Sequence, residues 1–593
     1  MYTFTLLSNR RPGKIGHGAS STAAGRCWTL AVAVAAVATA LARPTRAGAQ
    51  ARSDTVSAKV DAIFADVNTT SSPGCALGVI RDGALIYARG YGMANLDEDI
   101  ALSPSSAFYI ASTSKQFAAA SILLLAQQRK LSLDDDVHHF VPELPDYGAR
   151  VSIRHLLHHT SGIRDYLALL MGLGAGRVEN VMSDDDIIAL IARQKTLNFV
   201  AGAEYSYSNS GYFLLGVIVK RVTGMSLREY ADANIFRPLG MLHTHFHDDR
   251  LQSVRRRVIG YDAAAAGGFR IDFYANFQGV GDGGLWSTVE DLALWDRNFY
   301  DPKIGGPELV REQLTPGQLN NGDTISYGSG LMLGRYRGLE TVSHGGSFMG
   351  YRTEFLRFPG RRLSVICLCN LSTSDPSMRA RKVADIYLAG DFPRGLATAD
   401  SAPVPFVDVA STTLRALSGT YRNPATGMIY ELTVKDGHLL ASAFRATVQL
   451  NAVSPIHFRG ASPVALDLVF EPRPPGAPAR VAVAVGGTDA KPERYDRIER
   501  TSLAAAQLAP YAGRYRSGEL LTTYTFSAIG DTLFVEIPNR QKLALVPTIR
   551  DAFAADGIGF TFDRDAAKRL LAVVVQTAQA RNLRFERLSA AIP

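Results

Sequence analysis

The last third of the sequence repeats itself, and this repeat restricts what the chain can fold into. The segment "LSGTYRNPATGMIYELTVKDGHL" from Leu417 matches "YAGRYRSGELLTTYTFSAIGDTL" from Tyr511, with Gly, Tyr and Arg residues aligned at a constant offset of 94. The two units also close alike, with "RYDRIER" and "RFERLSA". Apolar and polar residues alternate through both, which is typical of strands. We therefore expect two tandem antiparallel β-barrel or sandwich modules of about 90 residues each.

The preceding part of the chain, over about positions 56–388, mixes strand and helix patterns. "GCALGVIRDGALIYARGYG" predicts two strands joined at an Asp-Gly turn, and "EFLRFPGRRLSVICLCNL" predicts two more around Pro-Gly. "DDDIIALIARQ" and "GYFLLGVIVKRVTG" have helical periodicity, and Gly224 ends the second. Strands from both ends of this part can pair in one sheet with helices beside it, which indicates a mixed α/β (α+β) domain.

Composition shifts predict the boundaries between these parts. "AGDFPRGLATADSAPVPFVDVAS" is rich in Ala, Pro and Asp, as linkers are. The predicted segments are an export signal at 1–49, the mixed domain at 50–395, a linker at 396–411 and barrel modules at 412–500 and 504–593.

The first 49 residues have the pattern of a cleaved export signal. Six basic residues and no acid occur there, an apolar run extends from Trp28 to Ala42, and Ala47 and Ala49 give an A-x-A cleavage pattern. Removing them reduces the formal charge of +8 to +2, so nothing indicates a nucleic-acid partner. The run is too short for a permanent span, and no later segment reaches about 18 apolar residues. We expect a periplasmic or secreted protein without a stable membrane span; the export route stays open, and the oligomeric state cannot be read from the sequence.

Three cysteines remain after the signal, and three thiols in a chain of this length do not indicate a disulfide framework. Cys75, Cys367 and Cys369 lie in apolar strand-like runs, where buried thiols are the usual case. Cys367 and Cys369 point to one face of the same strand, so they are poorly placed to bond each other.

The stretch "ASTSKQF" places Lys115 three residues after Ser112, in front of an apolar helical run. A lone lysine there usually extends its stem along a half-buried helix. If the helix begins near Ser112, however, the two side chains share one face, and the helix N-terminus favours a developing negative charge. Burial disfavours the ammonium form, so a neutral Lys115 could accept the serine proton.

Two later segments can bring further groups to that serine. "YSYSNSG" supplies Tyr207 and Asn209 just before an amphipathic helix. Tyr207 can shuttle a proton provided that neighbouring cations lower its pKa, and Asn209 can bind a substrate carbonyl and the lysine. "SHGGSFMGY" supplies His344, Gly346 and Ser347 before a strand. His344 can orient the substrate, Gly346 allows close approach of a ligand, and the amide of Ser347 can pair with that of Ser112 as an oxyanion hole.

In this order, S-x-x-K, Y-x-N and H-x-G resemble the class C β-lactamase-like family of penicillin-recognising serine hydrolases. "IRHLLHHTSGI", "RPLGMLHTHF" and "GDGGLWSTVEDLALW" also look like signatures of that family. The resemblance implies a helical subdomain beside an antiparallel sheet, with Ser112 as the acylated nucleophile. It implies that Lys115 and Tyr207 are the base and acid pair, and that Asn209 and His344 contact the substrate.

The third box departs from the β-lactamases proper, which usually have Lys-Thr-Gly where this sequence has His344-Gly345-Gly346. A fixed cation for a substrate carboxylate is therefore in question. The prediction is an exported esterase or D-amino-acid-specific peptidase or aminopeptidase that acts on a small molecule or short peptide. The two barrels resemble the D-aminopeptidase architecture. The alternatives are a class C-type β-lactamase or D,D-carboxypeptidase, and a catalytically idle binding homologue.

Other patterns indicate no cofactor. "HTHFHDD" can place three histidines on one face before two aspartates, which would attract a transition metal, but it also reads as a structural turn. No H-E-x-x-H, G-x-S-x-G, Walker or dinucleotide glycine pattern occurs. The residues of the metal alternative are His243, His245, His247, Asp248 and Asp249.

Overall fold

The structure is a computed structural model that describes residues 46–176, 180–272, 278–393, 406–443, 446–460, 466–474, 476–485 and 492–589. The predicted export signal, except residues 46–49, and the greater part of the predicted linker lie outside these ranges. Within them, no helix combines the length and the apolar character that crossing a bilayer requires.

The mixed domain contains thirteen strands in its described part. They are β1 (Cys75–Arg81), β2 (Ala84–Tyr91), β3 (Met93–Asn95), β4 (Ile100–Ala101), β5 (Phe108–Tyr109), β6 (His245–Phe246), β7 (Tyr261–Ala263), β8 (Phe269–Ile271), β9 (Leu285–Ser287), β10 (Met332–Tyr336), β11 (Leu339–Phe348), β12 (Tyr351–Phe358) and β13 (Leu363–Cys369). Six form an antiparallel sheet in the order β10-β11-β12-β13-β1-β2. The N-terminal strands therefore pair with the C-terminal ones, as the sequence predicted.

The described part of the chain contains the following helices. They are α1 (Arg46–Ile63), α2 (Lys115–Gln127), α3 (Ile153–Leu157), α4 (Asp184–Ala192), α5 (Asn209–Thr223), α6 (Leu227–Ala231), α7 (Arg237–Leu239), α8 (Val289–Asn298), α9 (Gly306–Leu314) and α10 (Pro376–Tyr387), with α11 (Ser411–Leu417) and α12 (Ala505–Leu508) before the barrels. Short 3-10 or π turns occur at Ala111–Ser114, Val137–His139, Ala168–Gly172, Asp232–Phe236, Pro359–Arg361 and Ala509–Tyr511.

The two faces of the sheet are covered by different helices. On one face, Val383 and Ala384 of α10 pack with Leu77 of β1 in a buried cluster. On the other face, α8 lies so close to β1 that a Cβ at Gly78 would meet Val289 Cγ1 at 2.4 Å. The larger core extends from this second face into the helical subdomain built around α2 and α5. Because β1 is covered on both sides, its residues are buried almost continuously rather than alternately.

Helix α5 shows how local sequence sets these elements. It runs from Asn209 to Thr223 and ends at Gly224, whose φ of 74° is the left-handed conformation that glycine adopts without strain. The helices and strands predicted from the sequence in this domain are present in the structure.

The repeat folds into two closed antiparallel barrels of eight strands each. Barrel 1 contains β14 (Gly419–Arg422), β15 (Ile429–Lys435), β16 (His438–Ala443), β17 (Ala446–Ser454), β18 (His457–Gly460), β19 (Leu466–Glu471), β20 (Arg480–Val485) and β21 (Glu493–Ile498). Barrel 2 contains β22 (Gly513–Ser517), β23 (Thr522–Ile529), β24 (Thr532–Glu536), β25 (Leu543–Pro547), β26 (Ala552–Ala555), β27 (Ile558–Arg564), β28 (Leu570–Gln576) and β29 (Leu583–Arg587). The first and last strands pair in each barrel, so neither leaves a free edge.

The cysteines correct one expectation. Cys75 of β1 lies directly opposite Cys369 of β13, and the two form a disulfide across 294 residues of chain. Cys367 is the free thiol among the described cysteines and is buried. The sequence analysis anticipated buried thiols only, because the register that places Cys75 opposite Cys369 is not visible in the sequence.

The disulfide predicts a thiol count. A Cys27→Ser variant of the full chain, purified from an oxidising compartment, should titrate one thiol in denaturant and three after reduction. Replacing Cys369 with alanine should lower the free energy of unfolding by about 2–5 kcal/mol, as the loss of a native disulfide typically does. Three reactive thiols before reduction would show that the bond does not form.

Candidate active site

Ser112 lies in a 3-10 turn, Ala111–Ser114, that leads from β5 into α2. The sequence placed the helix start near Ser112, whereas the α-helix proper begins at Lys115. The turn is fixed to the sheet, because Thr113 Oγ1 donates to His344 O at 3.2 Å. Ser112 therefore keeps a position just ahead of the helix N-terminus.

Lys115 is completely buried and joins three segments of the chain. Its Nζ lies 3.1 Å from Ser112 Oγ, 2.9 Å from Asn209 Oδ1 and 2.5 Å from the backbone oxygen of Asp282. The ammonium also lies 4.9 Å from the centre of the Tyr207 ring. The S-x-x-K and Y-x-N boxes are thus brought together around one nitrogen atom.

Burial changes the charge balance of this lysine. Desolvation lowers the pKa of Lys115 to about 8, while the carboxylates of Asp282 and Asp165 act in the opposite direction. A neutral amine is therefore accessible close to physiological pH, in the direction that the sequence predicted.

Tyr207 does not meet the condition that the sequence analysis attached to it. Burial raises its pKa well above the ordinary value of 10 and outweighs the hydrogen bond with Ser112, which acts in the opposite direction. The ring packs against that of His159, with centroids 4.2 Å apart. In the resting site Tyr207 is a neutral phenol, so it is suited to donate a proton rather than to remove one.

His344 lies in β11 and is neutral. Burial and the charge of Lys115 lower its pKa to about 3. Its Nδ1 lies 2.7 Å from the carbonyl oxygen of Gly345 and must donate, so its Nε2 accepts from the hydroxyl of Tyr327 at 3.0 Å. The third box therefore presents no fixed cation.

Gly346 and Ser347 follow on the same strand. A Cβ at Gly346 would lie 2.3 Å from Ile110 O, so glycine is required there by the approach of the segment that leads to Ser112. The sequence analysis assigned this glycine to the close approach of a ligand, which this contact does not test. Ser347 is exposed and pairs in register with Arg352 of β12. The roles predicted for these two residues stay predictions.

Sequence reasoning missed two residues that hold the site. His159, with φ of 58°, accepts a hydrogen bond at Nδ1 from the amide of Ser208, next to Tyr207. Tyr327 fixes His344 as described above. The only signal was the "HHTSGI" stretch around His159, and Tyr327 had none.

Barrel 2 contacts the back of the same site. The Arg164 side chain has no exposed surface, and its Nη1 lies 2.5 Å from Oε2 of Glu519, in the β22–β23 connection. Gln579, between β28 and β29, accepts from the amide of Asp165 at 3.1 Å and reaches Tyr207 O with its Nε2 at 3.5 Å. The barrel therefore touches the segment that carries the catalytic candidates.

The histidines of the metal alternative do not converge. His245 Nε2 and His247 Nδ1 lie 3.3 Å apart, while His243 Nδ1 faces Asp291 at 3.7 Å. Asp248 pairs with Arg228. In the described part of the chain, the sulfur atoms of Cys75, Cys367 and Cys369 are the one cluster compact enough for a metal, and two of them are joined as a disulfide.

A family profile described as Beta-lactamase matches residues 60–389, which are more than half of the chain. The chain belongs to the β-lactamase family. It is a serine hydrolase of this β-lactamase-related group, in agreement with the resemblance found in the sequence.

The relatives agree with this assignment. The chain is 31% identical over 379 residues to a D-aminopeptidase of Gluconobacter oxydans, which covers 63% of this chain and 68% of that protein. It is 25% identical over 538 residues to a D-aminopeptidase of Brucella canis, and this match covers 87% of this chain and 96% of that protein. An octameric penicillin-binding protein homologue from Pyrococcus abyssi superposes with a TM-score of 0.53 at 25% identity, over 75% of this chain and 99% of that one.

The contact of barrel 2 predicts a loss of stability in the hydrolase domain. Glu519→Ala leaves the Arg164 guanidinium buried without its counter-charge, a change that typically costs about 3–5 kcal/mol. Because Trp286 and Trp295 both lie in the hydrolase domain and are buried, urea unfolding followed by tryptophan fluorescence should show an earlier transition.

The matched control is Glu471→Ala in barrel 1, which removes the partner of the largely exposed Arg494. An exposed pair contributes little, so this variant should unfold like the parent. Equal transitions for the Glu519 variant and the parent would contradict the inferred contact.

Proposed function

We propose that the protein is an exported hydrolase that forms an acyl-enzyme on Ser112 and cleaves amide or ester bonds of D-amino-acid derivatives. The observation that carries this proposal is the buried Lys115, whose Nζ lies 3.1 Å from Ser112 Oγ. A lysine with a lowered pKa beside a serine is the arrangement that activates a hydroxyl nucleophile.

The proposed acylation step uses the groups around this pair. The neutral Lys115 amine accepts the serine proton as the bond between Ser112 Oγ and the substrate carbonyl carbon forms. The amides of Ser112 and Ser347 donate to the developing oxyanion. Tyr207 donates its phenolic proton to the leaving amine or alcohol as the scissile bond breaks. The Lys115 ammonium then returns a proton to the Tyr207 phenolate, which restores the neutral amine and the phenol. Water then releases the acyl group by the reverse sequence.

Asn209 and His344 complete the proposed site in supporting roles. The Asn209 amide accepts from Lys115 through Oδ1, and its NH2 group, one hydrogen of which serves the Asp165 carboxylate, has a second hydrogen for a substrate carbonyl. His344 is held by Tyr327 and Gly345, so it shapes the wall of the site as a neutral ring.

The substrate class rests on two supports. The relative from Brucella canis that is named D-aminopeptidase matches across 87% of this chain and 96% of its own length. The neutral His344 also removes the cation that would bind the carboxylate of a β-lactam or of a C-terminal D-alanine. Both favour an amide or ester of a D-amino acid over the β-lactamase and D,D-carboxypeptidase alternatives.

Export is supported by two independent features. The first 49 residues combine basic, apolar and A-x-A segments. The Cys75–Cys369 disulfide fits an oxidising compartment rather than the cytosol.

A substrate panel tests the proposal. The parent protein should hydrolyse D-alanine p-nitroanilide or a nitrophenyl ester at a kcat/KM at least about tenfold above that for L-alanine p-nitroanilide and a chromogenic cephalosporin. Preference for the cephalosporin would support the β-lactamase alternative and contradict the weight given to His344.

A parent protein that hydrolyses no substrate of this panel would support the idle binding homologue. Where the parent does turn over, two variants test Ser112 as the nucleophile. Ser112→Ala should abolish turnover, because the nucleophile is lost. Ser121→Ala is the matched control, since Ser121 is buried on α2 and its hydroxyl donates to Phe117 O within the same helix. If both variants retained the parent rate, Ser112 would not be the nucleophile.

A further inference from the structure

Asp282 contacts the candidate base through its backbone oxygen, and its carboxylate acts on the same lysine electrostatically. It follows Gly281, whose φ is 115°, just before β9, and it is only 5% exposed. Its backbone oxygen accepts from Lys115 Nζ at 2.5 Å. Its side chain turns into the interior, where Oδ2 accepts from the hydroxyl of Tyr166 at 2.8 Å. The residue therefore joins the lysine to a buried carboxyl group.

The second oxygen of this carboxyl has no evident use in the fold. Asp282 Oδ1 is buried and has no hydrogen-bond partner among the described residues. The neighbouring Asp165 differs, because its oxygens accept from the amides of Ala168 and Asn209. A buried carboxylate with one oxygen unpartnered is costly unless a nearby charge compensates it, and the charge of Lys115 stabilises this carboxylate.

We propose that Asp282 is a positioning residue of this site, whose backbone oxygen directs the Lys115 nitrogen towards Ser112 and whose carboxylate sets the pH at which that lysine gives up its proton. The inference rests on the proposed function, since it assigns a control on the base of that reaction. It concerns a group that does not touch the substrate.

The surrounding groups leave few charges in this region. Seven titratable side chains face Lys115 or Asp282 or act on them electrostatically. One is the carboxyl group of Asp165, and the others are four tyrosines and two histidines, namely Tyr109, Tyr166, Tyr207, Tyr212, His159 and His344. Burial raises the pKa values of these tyrosines and lowers those of both histidines, so all of them are neutral near pH 7. The two carboxyl groups are thus the described acids that oppose loss of charge at Lys115.

The sign of the effect follows from this arrangement. A carboxylate stabilises the ammonium form and raises the pKa of Lys115 above the value that burial alone would give. Burial raises the pKa of Asp282 to about 6, so between about pH 6 and pH 8 the carboxylate and the ammonium are charged together. Removing the carboxylate charge must lower the pKa of Lys115 and increase the neutral amine at any given pH.

The test is the pH dependence of covalent labelling of Ser112 by a fluorophosphonate, measured as a second-order rate constant. In the parent the rate should rise with pH through an acidic limb near pH 8, the pKa of Lys115. Asp282→Asn keeps the backbone oxygen and an acceptor for Tyr166 but loses the charge. Its limb should move to lower pH by about one unit, so that labelling at pH 6 relative to pH 9 increases about tenfold.

A second variant perturbs the same carboxyl group by removing its hydrogen-bond donor, Tyr166. Tyr166→Phe removes a hydrogen bond that stabilises the Asp282 carboxylate, so it should shift the limb in the same direction by less. The control is Asp291→Asn, a buried aspartate on α8 whose partners are Thr244 and His243, which should leave the limb in place.

The outcomes separate the two claims. If the parent is folded and Ser112 is not labelled, the proposed function fails. If the parent is labelled but the limb of Asp282→Asn stays in place or moves to higher pH, the role of Asp282 is overturned. A uniform loss of rate at every pH would also overturn it, because it would show a purely structural effect. Should Asp282→Asn not fold, an unshifted limb in Tyr166→Phe overturns the inference.

Discussion

The site depends on one buried ammonium group. Taking a lysine side chain out of water is costly, and the fold compensates Lys115 with three acceptors, one from the adjacent turn and two from distant segments. One is the turn that carries Ser112, one is the start of α5 at Asn209, and one is the turn before β9 at Asp282. The same contacts that make burial tolerable place the amine beside the serine hydroxyl. Structural support and the proposed chemistry therefore cannot be separated at this residue.

The parts that the sequence could predict have local signals. Ser112 and Lys115 are three residues apart, Tyr207 and Asn209 immediately precede an amphipathic helix, and a repeat with an offset of 94 led to two barrels. Each of these depends on periodicity or spacing within a short stretch, which a single sequence displays. The pairing of strands from the two ends of the domain in one sheet followed from the same reasoning, while the number and order of its strands did not.

The features that the sequence could not predict depend on the register between distant strands and on the burial of side chains. Cys75 lies opposite Cys369 only because β1 pairs with β13 in one particular register. Tyr327 reaches His344 across 17 residues of chain, and no periodicity marks that contact. The condition attached to Tyr207, a pKa lowered by neighbouring cations, could not be checked from the sequence, because this pKa is set by complete burial and a sequence shows composition but not solvent access.

The central claim is that Ser112 carries the acyl group during turnover. The most direct measurement is acid quenching of the protein in the middle of hydrolysis of a D-amino-acid ester, followed by peptide mapping with mass spectrometry. The account predicts that the acyl mass lies on Ser112, and that it is absent when the substrate is omitted. An acyl group on another residue, or continued turnover with no covalent adduct at any time point, would contradict it.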